Sequence, residues 1–206
     1  MPTWDDRYAA TPNLFGDAPS PLLLEFRHLL SPGTRSLAVG DGEGRNGVWL
    51  AQQGLEVLSI DLSAVALGRA RARAAARGVS LRTLCMDALE WDWPQAAFDL
   101  VTLVFVHLPA VQKTRLHQAI IRTLMPGGLC LLECFHRDQV ACASGGPADP
   151  DLLYTLDMIA QDFSGFEIMK LARVETDVVL GGEPQGKGVA VHFVARKPAS
   201  GSNRSV

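Results

Sequence analysis

No apolar stretch in this 206-residue chain is long enough to span a bilayer. The most apolar one, "LVTLVFVHLPAV", is broken by His107 and Pro109. A basic surplus is also missing: 19 Lys and Arg stand against 22 Asp and Glu, a formal net charge of −3. A protein that grips nucleic acid by charge is therefore not expected. The amino terminus, "MPTWDDRYAA", has no basic segment leading into an apolar one. No secretory signal is read there, and a cytoplasmic protein is the expectation. Cysteine is scarce. Cys85, Cys130, Cys134 and Cys142 form no C-x-x-C, and three lie in or beside apolar runs, which reads as reduced thiols with no metal site. No internal repeat and no linker divides the chain, so one domain is expected over residues 1–197, followed by a disordered tail at 198–206.

What is present is an ordinary globular composition, 48% hydrophobic and 20% charged, with apolar runs and helical stretches in alternation. "SLAVG" (36–40), "LEVLSID" (55–61), "SLRTLCMD" (80–87), "FDLVTLVFVHL" (98–108) and "GLCLLECF" (128–135) read as strands. Between them, helices are expected at 45–54, 63–78 (Ser63 as N-cap, Gly78 past the end) and 111–125. This rhythm predicts an α/β fold, a doubly wound and mostly parallel sheet. After residue 136 the texture changes to a Gly-, Pro- and Asp-rich stretch, read as a lid-like loop over 136–150. A helix near 151–163 and strands near 166–177 and 187–197 follow. In "GVAVHFVARK", Val189, Val191 and Phe193 alternate, which suits an antiparallel hairpin partner at the sheet edge. Residues 1–35 are left as an N-terminal cap.

The stretch "AVGDGEGRNG" holds two overlapping glycine patterns. Gly42, Gly44 and Gly47 make the G-x-G-x-x-G of a dinucleotide turn, and Gly40, Gly42 and Gly44 make a G-x-G-x-G. Strand register favours the second. The first glycine of such a turn follows the first strand directly, and here the apolar strand stops at Val39. Starting at Gly42 would bury Asp41 inside a strand, where an unpaired carboxylate is costly. Gly47 then belongs to the following helix as a small packing residue. Asp61 ends the second strand 21 residues after Gly40 and is suited to a ribose, whichever cofactor carries it. Asp87 lies just after the third strand, and Pro126-Gly127-Gly128 precedes the fifth.

The ordered set "LAVGDGEGRNGVWLAQQGLEVLSIDLSAVAL", "CMDALEW", "FDLVTLVFVHLP" and "LMPGGLCLLE" resembles the motifs of class I S-adenosylmethionine-dependent methyltransferases, whose fold is a Rossmann-like seven-stranded sheet. Within them, "GRN…LAQQG", "WDDRY" and "VAVHFVARK" look like the small bacterial tellurite-resistance and thiopurine methyltransferase-like group. The resemblance implies S-adenosylmethionine as cofactor and a small-molecule acceptor, with no nucleic-acid or membrane partner, in a monomer or homodimer. It places Gly40, Asp41, Gly42, Gly44, Arg45 and Asn46 around the donor, Asp61 on its ribose and Leu62 beside the adenine. Asp87, with a backbone contact from Ala88 or Leu89, would meet the adenine amino group, and Phe105 would lie under the methionine moiety. One position departs from the pattern. Many class I enzymes have an acid two residues before the first glycine, where this chain has Ala38, so Asp41 or backbone carbonyls would take over its contacts.

Methyl transfer is an in-line displacement at an activated sulfonium, so positioning in a dry cleft is the enzyme's main task. A soft acceptor needs no base, whereas a protonated oxygen or nitrogen does. His107, in "FVHLP", is the base candidate. Arg7 and Tyr8 of "WDDRY" are candidate substrate or cofactor contacts. His136 and Asp138 open the lid-like loop, within reach of substrate or simply solvated. Trp91 and Trp93 read as packing beside the adenine end. Arg69, Arg73 and Arg77 recur every four residues and read as a solvated stripe. No Asn/Asp-Pro-Pro-aromatic tetrad follows the fourth strand, which argues against methylation of base amino groups. A cofactor-binding sensor or partner-binding module without turnover is the alternative. A nicotinamide oxidoreductase is weakened by the missing Tyr-x-x-x-Lys pair.

Overall fold

The computed structural model describes residues 3–199; most of the tail expectation, 200–206, lies outside them. Seven strands make one sheet, ordered β3-β2-β1-β4-β5-β7-β6. They are β1 (Arg35–Val39), β2 (Glu56–Asp61), β3 (Arg82–Cys85), β4 (Phe98–Val104), β5 (Leu124–Phe135), β6 (Glu167–Leu180) and β7 (Glu183–Arg196). Strands β1 to β5 pair in parallel, and β7 runs antiparallel to both β5 and β6. The terminal hairpin is at the sheet edge as its alternation predicts. Its outermost strand is β6, because Val189–Ala195 of β7 is buried on both faces and pairs on both sides.

Period-two alternation divides the core. Leu37 and Val39 of β1, Val101 and Leu103 of β4 and Leu132 of β5 cluster with Leu116 and Ile120 of α5 (Ala110–Thr123) and Ile159 of α6 (Leu156–Asp162). The intervening Ala38, Leu100 and Leu131 cluster instead with Leu22 and Leu23 of α2 (Pro21–Glu25) and Leu50 of α3 (Arg45–Gln52). Burying both faces this way is what a parallel sheet requires. Helix α4 (Ala64–Ala76) starts where Ser63 accepts the Ala66 amide, as its sequence predicts.

The single helix expected near 151–163 is split into a short 3-10 turn, Pro150–Leu152, and α6. The buried Lys113 explains the break: its ammonium donates to the Asp151 carbonyl at 2.8 Å and to the Leu153 carbonyl at 2.5 Å, which draws both out of helical pairing. No helix among the described residues is long and apolar enough to cross a membrane.

Candidate active site

The carboxyl ends of β1, β2 and β4 converge where a doubly wound sheet places its ligands. Gly40, Gly42 and Gly44 have φ of 60°, 56° and 79°, a left-handed backbone that β-carbon residues resist. Gly47 is helical, and a Cβ there would collide with the Asp41 carboxylate and the Ser59 hydroxyl. The turn is thus made by the first three glycines, and Gly47 serves packing. Space around the turn is tight. A Cβ on Gly40 would come within 2.5 Å of Val106, just beyond β4, and one on Gly42 would strike the Tyr8 hydroxyl.

Asp61 is bonded to this turn. Its carboxylate accepts the Gly42 amide at 2.8 Å and the Ser63 amide at 2.9 Å. Burial raises its pKa above the ordinary aspartate value. Leu62 beside it is 54% exposed, an apolar face open at the edge of the site. The Met86 amide donates to the Asp61 carbonyl at 2.9 Å, which brings Asp87 alongside. Asp87 accepts the Leu89 amide at 2.8 Å, and the Ala88 carbonyl accepts Trp93 Nε1 at 2.8 Å. Of the Ala88 and Leu89 amides, the Ala88 amide is the one without a hydrogen bond among the described residues. Trp91 and Trp93 pack together at 5.0 Å between ring centroids.

Several residues assigned to the donor by resemblance have other partners. Asp41 is buried: it accepts the Gly47 amide at 3.0 Å and the Ser59 hydroxyl, capping α3 from within. Its side chain is therefore turned away from any ligand on the turn, and it does not replace an acid at position 38. Ala38 itself packs in the core. Arg45 donates to the Ala18 carbonyl at 2.9 Å, and Asn46 accepts the Ser20 amide at 2.9 Å. The "GRN" triplet grips the N-terminal segment. Ser20 in turn donates to Glu133, whose other oxygen faces His192 at 3.2 Å.

That segment covers the glycine turn. Tyr8, on α1 (Trp4–Ala10), is buried beside Gly42, and burial lifts its phenol above the ordinary tyrosine range. Arg7 turns away, its guanidinium 4.4 Å from the Trp4 ring, and lines a cavity of about 410 Å³ with Leu14 and Leu180. Sequence reasoning missed Asp5, which accepts the Ser63 hydroxyl at 2.5 Å and the Val65 amide at 3.2 Å. It also misread the arginine stripe. Arg69 bonds Glu43 at 3.0 Å, Arg73 bonds Asp17 at 2.7 Å and Asn13 at 2.7 Å, and only Arg77 is an exposed stripe member.

The fourth wall is aromatic. Phe105 has φ 55°, a strained conformation for a non-glycine residue, and its ring lies 4.7 Å from that of Phe135. His107 stacks on Phe135 at 5.3 Å, and its Nε2 accepts the Phe135 amide at 3.1 Å. Burial, helped by the nearby Lys113 charge, pushes its pKa down to about 4. A lone pair already holding a backbone N–H cannot take a proton from an acceptor without breaking that bond. His107 is in this geometry a strut between the strained turn and β5. His136 accepts the Asp138 amide at 3.1 Å, and Asp138 pairs with Arg173 of β6 at 2.5 Å, so both are tied to the sheet edge. The 136–150 stretch is also pinned: Gln139 is buried, donates to the Gly145 carbonyl at 2.7 Å and accepts the Val189 amide at 2.7 Å. All four cysteines are free, and among the described residues no cluster of His, Cys, Asp or Glu is arranged to hold a metal ion.

Residues 37–128 match the methyltransferase domain family. Over 102 residues the chain is 35% identical to the demethylmenaquinone methyltransferase of Thermus thermophilus, covering 48% of this chain and 46% of that protein. The chain spans about half the length of the curated relatives it matches, from 46% to 53%. In fold it is similar to an S-adenosylmethionine-dependent methyltransferase of Methanosarcina mazei (TM-score 0.70, 17% identity, 89% of this chain and 100% of that one). It is likewise similar to TehB of Haemophilus influenzae (TM-score 0.74, 17% identity, 95% and 67%). Residues 37–128 are thus similar to a methyltransferase domain, and the chain as a whole has the seven-stranded Rossmann-like fold that these solved methyltransferases share.

Proposed function

We propose that this protein binds S-adenosylmethionine at the β1–β2 turn and transfers its methyl group to a small-molecule acceptor. The observation that carries this reading is the bond between the Gly42 amide and the Asp61 carboxylate. It fixes a carboxylate acceptor for ribose hydroxyls beside a turn whose left-handed backbone glycine adopts without strain. The bound sulfonium supplies an already activated methyl group. Asp61 holds the ribose, the exposed Leu62 flanks the adenine, and Asp87 with the Ala88 amide meets the adenine edge. Tyr8 closes over Gly42, and Phe105, stiffened by His107 and Phe135, forms the wall that excludes water.

Calorimetry with S-adenosylmethionine, its demethylated product and NAD tests the cofactor. Binding of the first two and not of NAD is expected, and failure of both adenosyl ligands to bind rejects the reading. Labelled-donor screening of thiol, selenium, tellurium, oxygen and nitrogen acceptors identifies the substrate. Full cofactor affinity without turnover on any acceptor would instead show a binding module.

The engaged imidazole gives a further expectation. From about pH 5.5 to about pH 8, kcat/KM carries no ionisation belonging to His107, because its folded pKa lies below that window. His107→Gln retains an acceptor for the Phe135 amide and should keep most of the activity. A pH–rate inflection near the ordinary histidine value that vanishes in His107→Gln restores it as the base.

A further inference from the structure

Glu43 stands between Gly42 and Gly44, and its side chain is 6% exposed. Its two carboxylate oxygens accept the Asn13 amide at 3.0 Å and the Leu14 amide at 2.8 Å, and Arg69 completes the set at 3.0 Å. The same Arg69 nitrogen donates to the carbonyls of Tyr8 and, at 3.3 Å, Thr11. One ion pair therefore holds both the end of α1 and the turn after it. That turn has left-handed backbone at Asn13 (φ 53°) and Gly16 (φ 78°), two points where the chain direction changes sharply. On the other side of Asp61, Asp5 pins the start of α1 to Ser63 and Val65.

Between these anchors Tyr8 lies on Gly42, and residues 41–44 are all buried. A ligand contacting Gly42 and Asp61 must enter and leave beneath this cover. The backbone of Glu43 is set by the left-handed glycines on either side, so a ligand that fixes the turn also fixes the residue that clamps the cover. We infer that Glu43, with Arg69, is a positioning residue that latches residues 3–20 over the glycine turn and makes cofactor retention depend on that latch. This rests on the turn being the S-adenosylmethionine site. Glu43 touches none of the reacting atoms and acts through Tyr8.

Glu43→Gln and Arg69→Met break the pair from opposite ends, so the latch can be tested even where one variant fails to fold. Deuterium uptake is measured on the cofactor-free full chain, and S-adenosylhomocysteine affinity and release rate are measured on the same preparations. Uptake in residues 3–20 is expected to rise at least tenfold in both variants while β1, β4 and β5 stay protected. S-adenosylhomocysteine should be released at least tenfold faster, and in the unaltered protein it should slow uptake in residues 3–20. Unchanged uptake in the variants overturns the latch, as does a rise spread equally over the sheet, which would show a merely structural role. Faster uptake in residues 3–20 with unaltered release also overturns it, since retention would then not depend on the cover. If the unaltered protein binds no S-adenosylhomocysteine, the cofactor reading and the retention role fail together, while uptake still decides whether Glu43 holds the segment.

Discussion

Asp61→Ala is expected to weaken binding of S-adenosylmethionine roughly ten- to hundredfold, about 1.5–3 kcal/mol, the loss of charge-assisted hydrogen bonds. Two effects combine. The ribose hydroxyls lose their acceptor, and the Gly42 and Ser63 amides lose theirs. The second effect loosens the glycine turn, because Gly42 sits in a left-handed conformation that the bond to Asp61 helps define. Asp61→Asn, which keeps one carbonyl oxygen for one of the amides, should lie between the two. Calorimetric titration of all three proteins measures the series. Equal affinity in Asp61→Ala and the unaltered protein would remove Asp61 from the site.

A second large effect is expected from Asp41 in the absence of any ligand. Burial pushes its carboxyl up to about 6 from an ordinary 3.8, against the opposing bonds from Ser59 and Gly47. The folded protein then holds this proton more tightly than the unfolded chain. The stabilisation is fully present below the unfolded value and is lost as pH rises through the folded value of about 6. Its size is on the order of 2–3 kcal/mol. Asp61, raised in the same direction by burial, adds to the slope with the same sign. Asp41→Asn fits the same cavity, its carbonyl accepting the Gly47 amide and its amide donating to Ser59. Urea unfolding at about pH 4.5 and about pH 7.5 should show the unaltered protein losing stability over this interval and the variant losing much less. An identical pH dependence in both would mean that Asp41 titrates normally.

These two aspartates show how far a linear reading reaches. Each ends or follows a strand, and the sequence places both beside the glycine turn. Nothing local distinguishes the one that faces outward from the one that turns in to cap α3. The difference comes from Ser59, on a neighbouring strand, and from the missing Cβ at Gly47. The same holds for Glu43, Arg45, Asn46, Arg69 and Arg73. Their spacing places them on a turn or a helix face, but their partners lie in residues 8–20, brought over the turn by folding. Long polar side chains follow whichever segment packs against them, and period-based reading carries no information about that segment. His107 is a parallel case: a histidine at a strand end is legible as chemistry until the Phe135 amide is seen on its lone pair.

What the sequence determined by itself is the repeating local part. Alternating apolar strands, the Ser63 cap and the end of β1 at Val39 follow from short-range propensity and burial, and they place the three left-handed glycines. The tertiary structure alone decided which polar groups face a ligand and which hold the protein together. That choice depends on contacts between residues far apart in the chain, where burial makes every donor and acceptor find a partner.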